Sequence, residues 1–253
     1  GGLRSSAQLI AYELPLGLGI LGVVLATGSL DLQDIIHKQA DTGLWFAFAQ
    51  PLGFVVFVTA AFAEAARLPF DLPECEQELI GGYHTEYSGM KLLLFLIAEF
   101  LHLVTAAFLI VILFLGGWHF WFLTGTGDEI GWITAFLRIG VLCVKIFFVV
   151  SFFMLVRWSW PRFRFDQLMG LAWKVMLPLG IANFMTIAIL DQVSRLYIEP
   201  MYGEDGATAA AWTMAVPAVA VFFVSWLVVA SVRPQVSDNR PRRSFSPSID
   251  SQL

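Results

Sequence analysis

Residues 91–117, KLLLFLIAEFLHLVTAAFLIVILFLGG, form a continuous apolar run that decides the class of this protein. A helix needs about twenty mainly apolar residues to cross the roughly 30 Å hydrocarbon core of a bilayer, and this run is longer than that. The apolar residues are continuous and do not alternate with polar ones, which disfavours a β-barrel. The run therefore predicts a transmembrane α-helix.

Similar runs recur along the 253-residue chain, which is 58% hydrophobic and contains 23 Phe and 9 Trp. Six spans are predicted, at residues 9–29, 44–64, 91–117, 132–156, 168–190 and 212–232. Proline inside a span is tolerated in lipid when neighbouring helices satisfy the freed carbonyls, so some of these helices are expected to kink. The predicted fold class is an all-α polytopic membrane protein.

Basic residues are distributed unequally between the two sets of connections. Ten lie on one side, at Arg4, Arg67, Lys91, Arg157, Arg162, Arg164, Arg233, Arg240, Arg242 and Arg243, against two on the other, at Lys38 and Arg195. Connections on the cytoplasmic side carry an excess of Lys and Arg. Both chain ends and the connection 65–90 are therefore predicted to be cytoplasmic, and the polar tail 233–253 is predicted to be disordered.

Several kinds of site lack support in the sequence. Cys75 and Cys143 fit neither a disulfide framework nor a metal or redox pair, and the histidines are scattered along the chain. No spacing indicates a metal, iron–sulfur or flavin site. The start, GGLRSSAQ, shows no signal peptide and is typical of the interior of a longer protein or of one piece of a split one.

Ionisable side chains inside apolar spans are candidates for function, because each costs about 2.5–3.5 kcal/mol to insert at the centre of a bilayer. Six occur within or at the ends of the spans: Glu13, Glu64, Glu99, Arg138, Lys145 and Lys174. Snorkelling or a structural ion pair is the alternative role, and it is favoured for Arg138 at a span end. Glu99 and Lys145 lie deeper, where a functional role is favoured.

The connection 65–90, AARLPFDLPECEQELIGGYHTEYSGM, holds five carboxylates between two spans. Asp71 and Pro73 are suited to start a helix, and acids in its first turn would be stabilised by the helix dipole. A capped helix accounts for one or two acids but not for a series that begins at the membrane, which comprises Glu64, Asp71, Glu74, Glu76, Glu78 and Glu86. Neighbouring carboxylates can share protons, so the series fits either a proton path or an acidic docking surface.

Three stretches resemble one known family, the H subunit of respiratory complex I, whose mitochondrial counterpart is NADH dehydrogenase subunit 1. They are RLPFDLPECEQELIGGYHTEYSGMKLLLFLIAEF at 67–100, GGLRSSAQLIAYE at 1–13 and RWSWPRFRFDQLMGLAWKVMLPL at 157–179. The resemblance covers about residues 1–190. The amino-terminal third of the family is missing, and residues 191–253 go beyond its common core. The chain is therefore divided into a core at 1–190, an extra connection and lipid-facing span at 191–232, and the tail at 233–253.

The resemblance implies roles for particular residues. Quinone-tunnel positions are matched by Arg67, Phe70, Asp71 and Glu74. The acidic connection beside the tunnel is matched by Glu76, Glu78 and Glu86, and the buried carboxylates of the proton path by Glu13, Glu64 and Glu99. The cytoplasmic surface that docks the hydrophilic arm is matched by Arg162, Arg164 and Asp166.

The resemblance also implies the activity: a membrane-arm component of a proton-translocating NADH:quinone oxidoreductase that couples quinone reduction to proton movement. Proteins of this family act on quinone as substrate, hold no redox centre and are inactive alone, with FMN and iron–sulfur clusters in partner subunits. The expected location is an energy-transducing membrane, such as the bacterial plasma membrane. Alternatives are the homologous component of a membrane-bound hydrogenase or another quinone-linked dehydrogenase, and an autonomous transporter or channel, which the lack of an internal repeat disfavours.

Overall fold

The computed structural model describes residues 2–65, 69–70, 86–120, 131–198 and 207–231. Within these ranges the chain forms helices and turns and no strand. The helices are α1 (Gly2–Thr27), α2 (Leu32–Thr42), α3 (Phe46–Ala49), α4 (Pro51–Glu64), α5 (Met90–Phe114), α6 (Trp132–Ser159), α7 (Phe165–Leu171), α8 (Leu177–Val193) and α9 (Ala207–Ser231). Two π-helical turns, Ala172–Met176 and Ser194–Ile198, extend α8 at its start and end.

Five helical segments in the described ranges are long and apolar enough to cross a membrane: Ser5–Thr27, Met90–Phe114, Trp132–Ser159, Phe165–Val193 and Met214–Ser231. They correspond to five of the six predicted spans and confirm the all-α polytopic membrane class. The last of them, in α9, packs on α3 and α8 but leaves most of its side chains exposed.

The second predicted span, 44–64, is not one continuous helix. It divides at Gln50, whose φ of −134° and ψ of 62° lie outside the helical region, into the single turn α3 and the 14-residue α4. Pro51 is the physical reason, because proline lacks an N–H and disfavours helical geometry in the residue before it. At 1.5 Å per residue, α4 alone extends about 21 Å, less than the hydrocarbon core.

Contacts between α1 and α4 show that the two helices run antiparallel. Gln8, near the start of α1, donates a 2.7 Å hydrogen bond to the carbonyl of Ala63 at the end of α4. Gln50, just before α4, donates to the carbonyl of Gly22 near the end of α1 at 3.3 Å. Glu64 therefore lies at the end of the bundle where α1 begins.

Helix α8 packs against this pair at two glycines. A Cβ atom at Gly22 or Gly53 would lie 2.8 or 2.7 Å from Nδ2 of Asn183, closer than side chains approach one another. Asn183 and Gln50 are both buried. The absence of a side chain at the two glycines therefore leaves room for Asn183 where the three helices meet.

Helix α2 is amphipathic and lies at the opposite end of the bundle from Glu64. Asp31 accepts a hydrogen bond from the backbone of Gln33 at its start, and Gly43 ends it with a φ of 63°. The buried Gln39 donates to the carbonyls of Ile112 and Leu113, at 3.1 and 3.3 Å, and so fixes α2 to the end of α5. The span prediction from apolar runs assigned this segment to the connection between the first two spans.

Lys145 in α6 binds the backbone of the segment that follows α5. Its ammonium group donates to three backbone carbonyls beyond α5, those of Leu115 at 2.6 Å, Gly117 at 3.0 Å and His119 at 2.6 Å. The ammonium group also lies 4.7 Å from the ring centre of Trp45. Buried backbone carbonyls outside regular helix bonding need another partner, and the Lys145 ammonium group supplies it here. The structure thus supplies a structural role for Lys145, where the sequence favoured a functional one.

We expect cysteines at Asp34 and Ser88, both exposed, to be labelled from opposite sides of the membrane. The two positions lie at opposite ends of the bundle, and the excess of basic residues predicts that Ser88 is cytoplasmic. The measurement is labelling of each single-cysteine variant by an impermeant thiol reagent in oriented vesicles, with Cys75 and Cys143 replaced beforehand. Labelling of both from one side would contradict this topology.

Candidate functional site

Glu64 is the last residue of α4 and points toward α5. Its Oε1 atom lies 3.8 Å from Nε2 of His102, and the two side chains are 32% and 43% exposed, respectively. The two groups are near enough to attract one another when His102 is protonated, but too far apart for a hydrogen bond. One small side-chain movement would bring them into contact.

Glu99 lies one helical turn before His102 on α5. Residues three apart on a helix occupy the same face, so Glu99 and His102 are neighbours. Both carboxylate oxygens of Glu99 are buried. Helix α5 is mostly exposed before this turn, whereas buried residues begin at Leu103. The structure therefore places Glu64, Glu99 and His102 at the edge of the packed core, and we call these three residues the carboxylate–histidine cluster.

Glu13 departs from the expectation of a buried carboxylate, because its side chain is exposed in this chain. The buried face of α1 carries Gln8, Ala11 and Tyr12, spaced by three and four residues, and Glu13 falls beside that face. Tyr12 is the buried group here, and its hydroxyl donates a 2.9 Å hydrogen bond to the carbonyl of Leu168.

Phe70 is buried rather than open to a cavity. Its ring stacks on Phe163, with ring centres 5.5 Å apart, and also contacts Tyr12 at 5.8 Å. Its carbonyl accepts a 3.0 Å hydrogen bond from Gln8, the residue that also binds Ala63. Gln8 therefore fixes the beginning of the acidic connection against the end of α4.

The three predicted docking residues lie at the start of α7, next to Phe163. The backbone N–H of Phe163 donates to the carbonyl of Pro69 at 3.1 Å, so this segment borders the acidic connection. Arg164 precedes α7 and is exposed, and its backbone N–H donates to the side chain of Gln167 at 3.2 Å. Asp166 is exposed in the first turn, where a negative charge suits the helix dipole. Arg162 is partly buried.

The remaining predicted site residues lie outside the described ranges, except one. Arg67, Asp71, Glu74, Glu76 and Glu78 belong to the segments that the structure does not describe. Glu86 is described and exposed. Within the described ranges, no three His, Cys, Asp or Glu side chains are grouped closely enough to hold a metal ion.

Two residues of this site were missed in the sequence, His102 and Gln8. His102 follows Glu99 by three residues inside an apolar span, and that spacing was the available signal. Gln8 is a single amide at the beginning of a span and carries no comparable pattern. Its two long-range partners depend on how α1 is rotated against α4.

The fold and the site define a multi-pass α-helical membrane protein with an acid–base cluster partly buried in its helical bundle. Comparison with known proteins identifies the family. The family model described as NADH dehydrogenase matches residues 1–188. The chain belongs to this family, as the resemblance of its acidic connection predicted.

Three similar curated proteins come from bacteria. NADH-quinone oxidoreductase subunit 8 of Rhodothermus marinus is 46% identical over an alignment of 197 residues, with a coverage of 75% of this chain and 58% of that protein. The H subunit of the NADH-quinone oxidoreductase of Geobacillus kaustophilus is 47% identical, over 75% of this chain and 54% of the relative. Its counterpart in Flavobacterium johnsoniae is 45% identical, over 73% and 53%. The chain spans about half the length of these relatives, and the predicted match to part of an H subunit is confirmed.

Proposed function

We propose that this chain is a membrane-arm subunit of a proton-translocating NADH:quinone oxidoreductase, in which it forms part of the quinone tunnel and couples quinone reduction to proton movement. The observation that carries the proposal is the carboxylate–histidine cluster, partly buried in an apolar bundle beside the start of the acidic connection. Carboxyl groups in such surroundings can take up and release protons without forming covalent intermediates. The names of the similar subunits support the choice of enzyme.

In this proposal quinone is the substrate, and electrons reach it from iron–sulfur clusters and FMN held by partner subunits. The chain holds no redox centre and is inactive alone. The tunnel residues would be Arg67, Phe70, Asp71 and Glu74. Because Phe70 is buried between Tyr12 and Phe163, its part would be to support the tunnel wall rather than to face the quinone.

Reduction of quinone changes the charge and the protonation at the tunnel. The acidic connection, with Glu76, Glu78 and Glu86, would transmit that change to Glu64 and Glu99 as a shift in proton affinity. Glu13 would belong to the same path from an exposed position on α1. The carboxylates act as proton carriers and electrostatic switches, not as nucleophiles.

The partners would be the hydrophilic-arm subunits that complete the quinone site and the other membrane-arm subunits. Arg162, Arg164 and Asp166 would dock the hydrophilic arm, since all three lie beside the acidic connection. The location would be an energy-transducing membrane, the bacterial plasma membrane for relatives such as these, with both chain ends cytoplasmic.

Tagged protein purified under mild detergent conditions is expected to bring down NADH-binding flavoprotein subunits and iron–sulfur subunits, identified by mass spectrometry. Nickel–iron hydrogenase subunits in their place would favour the hydrogenase homologue. Stable isolation of the chain without partners would favour a transporter or channel and would contradict the proposed function.

A further inference from the structure

We propose that His102 is the proton carrier that joins Glu99 to Glu64 across the α5–α4 contact. This inference rests on the proposed function and adds to it one residue and the route by which a proton crosses from α5 to α4. Neither carboxylate belongs to the other's helix, so a proton must cross from α5 to α4 to connect them. His102 lies where that crossing occurs.

The position of His102 meets the geometric needs of a carrier. Its Nε2 atom is buried and lies 3.8 Å from the Glu64 carboxylate, and Glu99 is on the same face of α5 one turn away. A movement of about 1 Å brings Nε2 within hydrogen-bond distance of Glu64. The side chains of Glu64 and His102 are 32% and 43% exposed, so neither is enclosed by the core on all sides.

The chemistry of imidazole suits this place. Its two ring nitrogens are separate sites for a proton, so one can accept a proton while the other donates one. In the transfer, protonated Glu99 gives its proton to one nitrogen and becomes a carboxylate, and His102 becomes imidazolium. The N–H at the other nitrogen then gives its proton to the Glu64 carboxylate. One proton moves from Glu99 to Glu64 and leaves the ring neutral, with its remaining proton on the nitrogen that faced Glu99. The ring then exchanges tautomers before the next transfer.

A purely structural role explains the arrangement less well. A partly exposed pair at 3.8 Å, without a hydrogen bond, stabilises a protein little. An ionisable group within a span is unfavourable and needs a partner or a function. Within α5, Glu99 and His102 are the ionisable residues beyond Lys91, and they are one turn apart.

We expect His102→Gln, in membranes containing equal amounts of the assembled complex, to lower proton pumping and quinone reductase activity together, by about a hundredfold. Electron transfer from NADH to a hydrophilic artificial acceptor should not change. The matched control is His37→Gln, because His37 is also partly buried but contacts Trp118 at the other end of the bundle. This control should keep wild-type activity.

Two further measurements separate a carrier from a structural residue. Added imidazole should restore activity to His102→Ala, because the free base can occupy the space and carry the proton, and it should not restore activity to Glu64→Ala. The double variant His102→Gln/Glu64→Gln should be no slower than the slower single variant, because both residues serve one step. Absence of imidazole rescue, or losses that multiply in the double variant, would overturn the carrier role.

The same set of variants distinguishes this inference from the function on which it rests. Wild-type activity in His102→Gln together with loss in Glu64→Gln and Glu99→Gln would overturn the role of His102 and leave the proposed function standing. Wild-type activity in all three would overturn the proposed function itself.

Discussion

Under the proposed function, replacing Glu99 with Gln is expected to lower proton pumping and quinone reductase activity by about a hundredfold or more, as loss of a general acid–base group does. Gln keeps the size and polarity of the side chain and removes its ability to exchange a proton. Both carboxylate oxygens of Glu99 are buried, so bulk water cannot easily substitute for the lost group. Glu64→Gln should have a similar effect but a smaller one, since its side chain is 32% exposed and more accessible to water.

The measurement is quinone reductase activity and proton pumping in membranes, with the abundance of the complex held equal. Under the proposed function, NADH oxidation by a hydrophilic acceptor would report on the partner subunits and should remain at the wild-type rate. Asp41→Asn is a suitable control, because Asp41 is exposed on α2 at the opposite end of the bundle. If Glu99→Gln and Asp41→Asn behave alike, Glu99 has no part in coupling.

Lys145→Met is expected to reduce strongly the amount of folded protein. The substitution keeps a long unbranched side chain in α6 but leaves the carbonyls of Leu115, Gly117 and His119 without their charged donor. One hydrogen bond to a charged group contributes about 1.5–3 kcal/mol, and a buried polar group left unpaired costs a similar amount. Loss of the whole set should cost at least about 3 kcal/mol, a large fraction of the stability of a typical domain.

This expectation is checked by quantifying the chain in the membrane and by heating the purified complex to find the temperature at which it dissociates. Lys174→Met is the matched control, since Lys174 lies in the same kind of apolar span but is exposed. Equal abundance of the two variants would show that the end of α5 does not need Lys145.

The membrane class, five of the spans and the family could be predicted from residue order alone. Transfer of a helix into lipid depends on the sum of its own side chains, so a run such as 91–117 predicts a span without knowledge of its neighbours. The acidic connection 65–90 carries the family resemblance because its residue types are closely spaced along the chain. Glu64 and Glu99 were also candidates from sequence, because an acid in an apolar run is costly wherever the helix packs.

Contacts between helices were decided only by the tertiary structure. Helices that are apolar nearly all round give no pattern that indicates which face meets which neighbour, so neither the approach of His102 to Glu64 nor the exposure of Glu13 could be read from spacing. Lys145 was correctly singled out as a deep charge, but its carbonyl partners lie 26 to 30 residues away in the chain. Rotation of each helix about its own axis determines these pairings, and that rotation is settled by packing among several helices at once.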